Sequence, residues 1–159
     1  MFKVKASTLK DYFNWDPERK ESLLFIDRIL YQQAPELKRW FYHKSANTTA
    51  GMRTRLIGYG WFLYEVSSGA KIKWPIIGLA LQKHYVSVYL SVLKDDKPIL
   101  DDYVHKLGAL RYGCNHFSFA DPDKLNLSML SSLIKAVSEE VKKGAHKSLQ
   151  YSKSKKSKN

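Results

Sequence analysis

Residues 85–92 read Tyr-Val-Ser-Val-Tyr-Leu-Ser-Val. Val86, Val88, Leu90 and Val92 alternate with Tyr85, Ser87, Tyr89 and Ser91. A repeat of two fits a strand with one buried and one wetter face, and no helix. Residues 76–81 form a second apolar run, and only Gln82, Lys83 and His84 separate the two. So short a polar break predicts a hairpin. Residues 56–66, interrupted by Gly58 and Gly60, make a third strand candidate, closed by a Ser67-Ser68-Gly69 turn. The middle of the chain is therefore expected to be a three-stranded antiparallel meander.

Helical signals flank it. Asp16-Pro17-Glu18 starts a helix, with Asp as N-cap, Pro in the first turn and an acid at the positive end of the helix dipole. Leu23, Ile26 and Leu30 follow at spacings of three and four, and Pro35 stops the helix near Gln33. Pro35 is expected to open a second short helix reaching His43. Residues 45–51 are a small polar loop. Pro98 opens a helix that Gly108 ends. His116 to Phe119 reads as a short fourth strand. From Asn126, Leu127, Leu130, Ile134, Val137 and Val141 mark an amphipathic helix that stops at Gly144. The sum is an α+β fold: a single domain, with a small antiparallel sheet of about four strands covered on one face by three to four helices. Residues 1–15 are expected to be a loosely packed N-terminal extension, 16–144 the α+β domain, and 145–159 a disordered lysine-rich tail.

Charge and cysteine content narrow the function. The chain of 159 residues has net charge +12, and it keeps +7 without the five lysines of the tail. A basic body suits anionic partners, although surplus lysine also serves plain solubility. The lone cysteine, Cys114, excludes an intramolecular disulfide. No apolar run approaches a membrane span and no secretory leader is visible, so a cytoplasmic protein with no membrane partner is expected.

Several of these motifs resemble the YdhG-like family, small bacterial domains of mostly unknown function, often labelled frataxin-like iron chaperones. The resemblance spans roughly residues 16–141. It rests on Ala34-Pro35-Glu36 at a helix end, the Tyr59-Gly60-Trp61-Phe62 segment, and the apolar strand running into Lys83-His84 before the alternating strand. Leu107-Gly108 and Phe119 before the last helix complete it. The family carries a basic residue after the glycine preceding its last strand, and an arginine before that strand's final phenylalanine. Here those places hold Cys114 and Ser118, an extra loop stands near residues 42–55, and Trp61-Phe62 replaces Met-Pro. The resemblance implies the fold. Its iron label sits poorly on a chain with fifteen acids against twenty-seven bases, because iron of that type is held by carboxylate oxygens.

The candidate ligand-binding residues are Tyr59, Trp61, Lys83, His84, Tyr85, Cys114 and His116. Lys83 and His84 could meet an anion at the hairpin, or simply form a polar turn. Cys114 and His116 would share one face of a strand, but a zinc site wants three or four ligands, so no metal is expected. A nucleophilic Cys114 would need a base and a lowered pKa that nothing else supplies. Tyr59, Trp61, Tyr64, Trp74, Tyr85 and Tyr89 could stack single-stranded bases on an exposed sheet, or serve as ordinary core. Tyr59, Trp61, Lys83 and Tyr85 could instead line a pocket between sheet and helices. No dinucleotide glycine pattern, HExxH or nucleophile elbow is present, so no catalytic residue and no cofactor is assigned. The expectation is a non-enzymatic domain binding a small anionic ligand or a protein partner. Nucleic-acid binding through a basic surface and frataxin-like iron handling are the alternatives.

Overall fold

In a computed structural model the described residues are 3–43, 55–65, 67–109 and 111–144. The polar loop at 45–51 and the lysine-rich tail lie outside them.

The chain is an α+β domain built on a six-stranded antiparallel sheet. Its strands are β1 (Arg39–Tyr42), β2 (Leu56–Glu65), β3 (Lys71–Leu81), β4 (Val86–Leu90), β7 (Arg111–Tyr112) and β8 (His116–Phe119), in the order β1-β2-β3-β4-β8-β7. A separate two-stranded hairpin joins β5 (Leu93–Lys94) to β6 (Lys97–Pro98). The central meander follows the sequence: Ile77 pairs with Leu90 and Leu81 with Val86 across the expected hairpin.

Two helices, α2 (Lys20–Gln33) and α3 (Leu127–Lys142), pack on each other and on the sheet. The α2 stripe of Leu23, Ile26 and Leu30 is buried in one core with Ile57, Ile77, Val88 and Phe117 of the sheet. Transfer of each such side chain from water contributes about 1.5–3 kcal/mol. Asn126 caps α3, its side-chain oxygen accepting from the Met129 N–H at 3.1 Å.

Four expectations need correction. Residues 39–42 form an edge strand on β2 rather than a helix, with Arg39 opposite Tyr59 and Tyr42 opposite Leu56. Pro35 ends α2, but Arg39 to Tyr42, after three intervening residues, are a β-prone aromatic run that pairs with β2 at the sheet edge. The expected helix after Pro98 is two short 3-10 turns, Ile99–Asp102 and Val104–Lys106. The sheet therefore has six strands, with two main helices and the short α1 (Leu9–Phe13). The opening segment, expected to be loose, instead enters the core. The Tyr12 hydroxyl accepts from the Leu81 amide at 2.8 Å and donates to the Arg55 carbonyl at 3.1 Å, and its ring is fully buried.

The face of the sheet away from the main core is not simply wet. Leu56, Ala80 and Tyr42 form a second buried cluster with Trp40 and Tyr89 against it. Ser87 and Ser118, one opposite the other on β4 and β8, are each 1% exposed and share a 2.7 Å hydrogen bond. A hydroxyl pair satisfies itself, which lets two serines sit where alternation alone predicts solvent.

Candidate functional site: the rim of strands β4, β8 and β7

Strand register sets the geometry of this corner. Tyr85, Ser87 and Tyr89 occur at alternate positions, so they share a face. On β8, Ser118 lies opposite Ser87 and His116 opposite Tyr89, and Arg111 on β7 lies opposite Ser118. The Ser87–Ser118 pair is thus the middle of a patch flanked by Arg111 on one side and two rings on the other.

Its contacts are specific. Arg111 Nη1 donates to the Tyr85 hydroxyl at 2.9 Å, and the guanidinium carbon lies 5.1 Å from the centre of the Tyr85 ring. Tyr89 and His116 are tilted against one another at 5.5 Å, and Gln82 Nε2 donates to the Tyr89 hydroxyl at 3.2 Å. Gly113 sits against the His116 ring: a Cβ there would come within 2.5 Å of His116 Cε1. Burial, and then the charge of Arg111, hold the His116 imidazole below its ordinary pKa, so the ring is neutral at pH 7.

The hairpin carrying Tyr85 is held from below. The Gln82 N–H donates to the Tyr85 carbonyl at 2.9 Å. Arg19 reaches both strands of the turn, donating to the Tyr85 carbonyl at 3.0 Å and also to the Gln82 carbonyl. Asp16 fixes that arginine at 2.7 Å, and the pairing pulls the Asp16 carboxyl below the usual carboxylate range.

Arg19 and Arg39 each have a carboxylate partner, Asp16 and Asp27. Among the described residues no carboxylate pairs with Arg111, which donates to the Tyr85 phenol instead. Residues 82–91 and 111–119 contain no Asp or Glu at all, while Lys83 and His84 stand exposed on the adjoining turn.

The candidate residues fall in four places. Tyr85 contacts Arg111 at this rim, His116 packs on Tyr89 of β4, four residues further along, and Lys83 and His84 border it. Tyr59 lies elsewhere, buried beneath α2, where its hydroxyl donates to Asp27 at 2.7 Å and Arg39 reaches the other Asp27 oxygen at 2.9 Å. Burial first, then the Asp27 charge, push the Tyr59 phenol well above its ordinary pKa. That trio borders a cleft of about 200 Å³, with Tyr31, Leu37 and Lys38. Trp61 is exposed on the far hairpin. Hence Tyr59, Trp61, Lys83 and Tyr85 do not line one pocket.

Cys114 is in the two-residue tip of the β7–β8 hairpin, where the Gly113 N–H donates to the His116 carbonyl at 2.8 Å. Strand alternation does not apply to that tip, so the expected common face of Cys114 and His116 is lost. Cys114 instead borders a cleft of about 360 Å³ with Asp101, His105 and Tyr112. Among the described residues, no three His, Cys, Asp or Glu side chains are grouped to hold a metal ion. Nor is any described helix long and apolar enough to cross a membrane.

The aromatic set does not form one stacking platform. Trp74 is buried between Tyr42 and Tyr64, with ring centres 6.1 and 5.2 Å away, and Tyr59 belongs to the core. Sequence reasoning missed Arg111, which stands in a strand of two residues with no periodicity. The absence of acids from both flanking segments was the available signal. No family model matches this chain, and neither a curated protein nor a solved structure matches it.

Proposed function

We propose that this is a non-enzymatic binding domain that takes a small anionic ligand at the β4–β8–β7 rim. The observation that carries the reading is Arg111: an exposed guanidinium aimed by a phenol, with no described carboxylate on it and no acid in either flanking segment. An anion there would gain charge-assisted hydrogen bonds from a donor already oriented. Tyr85, His84 and the neutral His116 add polar groups, and Lys83 adds positive potential at the mouth. The YdhG-like resemblance belongs to the same proposal. The arginine that the family places at Ser118 would here be supplied from the neighbouring strand, because Arg111 is the cross-strand partner of Ser118.

Anion-dependent thermal stability tests it. Phosphate, pyrophosphate and citrate, each titrated at constant ionic strength, should include one that raises the melting temperature of the native protein by mass action. Arg111→Ala should abolish that rise. If none of the three stabilises the native protein, or the variant responds equally, the proposal is wrong.

A further inference from the structure

The β2–β3 hairpin outruns the rest of the sheet. Strand β1 pairs with β2 only as far as Tyr59, and β4 pairs with β3 only from Ile77. Beyond those points, Trp61–Glu65 and Lys71–Pro75 pair only with each other among the described residues, so they make a two-stranded arm. Gly60 marks its root with φ +64°, a left-handed conformation that favours glycine.

The arm presents an unusual surface. Trp61 is 53% exposed and Leu63 is 61% exposed. Lys73, opposite Leu63, places its ammonium 4.4 Å from the Trp40 ring centre and 5.0 Å from that of Trp61. Trp40 is itself fixed, its indole N–H donating to the Gly60 carbonyl at 2.8 Å. Lys71 is exposed further out, opposite the arm's one acid, Glu65. A bare indole and a cation are therefore held side by side on a chain of net charge +12.

We infer that this arm binds single-stranded nucleic acid, with an unpaired base stacked on Trp61 and the adjoining phosphate met by Lys73 and Lys71. Charge complementarity selects this occupant. A second copy would bring like lysines together, whereas a single strand offers a π-face and a negative charge at neighbouring positions. Stacking on an aromatic ring tolerates any base, and the backbone supplies a salt-dependent attraction. Among the described residues no strand pairs with either outer edge of the arm. This surface lies apart from the Arg111 rim, and the inference does not depend on the rim.

Fluorescence anisotropy with a labelled oligothymidine strand tests it, in the full-length protein. Binding should appear at low salt and weaken steeply as salt rises. Trp61→Ala, a surface change that spares the core, should weaken it on the order of tenfold. Lys73→Gln should lower both the affinity and the salt slope, and Arg111→Ala should leave both unchanged. No binding at low salt would overturn the inference. So would unchanged affinity in Trp61→Ala, equal affinity for polyglutamate or for a duplex, or an arm-dependent dimer in solution.

Discussion

Tyr12→Phe removes one oxygen atom and nothing else, at a point where the opening segment meets the central sheet. The ring is fully buried, so Phe refills the same space and no cavity forms. What is lost is the acceptor of the Leu81 amide and the donor to the Arg55 carbonyl. A buried amide left without a partner costs about 1–3 kcal/mol. For a domain of this size each kcal/mol lowers the melting temperature by about 2–4 °C, so the variant should melt roughly 2–12 °C lower. Urea unfolding should show a lower midpoint with an unchanged slope, because the surface exposed on unfolding is the same. The pH dependence supplies a second readout. Burial holds the folded Tyr12 phenol above its ordinary pKa. Its stabilisation is therefore complete below the unfolded tyrosine value and lost as pH rises past it. Tyr12→Phe should accordingly lose less stability at alkaline pH than the native protein, with Tyr59 retaining part of that dependence. A loss below about 0.5 kcal/mol would fall within the range of ordinary surface substitutions. It would mean that water reaches the Leu81 amide and that the opening segment is not part of the core.

Arg19→Ala should remove the arginine donor from the Gln82 carbonyl and leave the Tyr85 carbonyl with the Gln82 N–H, at a cost of about 1–3 kcal/mol, and hydrogen exchange should quicken first at that turn. Arg111→Ala should raise the His116 pKa, since it removes the second cause of its depression; burial persists, so the value should stay below that of a free histidine, as an NMR titration can show. The depressed His116 pKa also means stability that is full above the unfolded histidine value and lost as pH falls through the folded one, readable as a denaturation midpoint that drops on acidification. Ser138→Ala should cost about 1–3 kcal/mol, because Ser138 donates to one Glu36 oxygen and the other is already buried with no partner among the described residues; urea titration measures it.

The meander and the two long helices were legible because each repeats one period over many residues. Val86, Val88 and Leu90 state a strand three times over, and Leu130, Ile134 and Val137 state a helix. Short elements carry no such repetition. Strand β7 has two residues and strand β1 four, so pairing with a neighbour decides their conformation. The run after Pro98 had apolar residues at helical spacing, yet it closes as 3-10 turns and is followed by Gly108 at φ +72°. Tyr12 gave no signal either, since its value lies in a partner 69 residues away. The rim was half legible. Tyr85 and His116 were visible as polar residues on strand patterns, but their convergence with Arg111 is a product of sheet order, which alternation does not encode.

That order has a consequence for how the molecule assembles. Strands β1 to β4 are neighbours in both sequence and space, joined by short turns apart from the longer β1–β2 connection, whereas β8 must cross back from 26 residues further on to reach β4. Closing the longer loop carries the greater entropy cost, so the meander should form first and the β7–β8 unit should dock late. Tyr85 and Tyr89 come from the early unit, Arg111 and His116 from the late one. The rim is therefore a seam, and a fluctuation that parts β8 from β4 would erase it while leaving the meander folded.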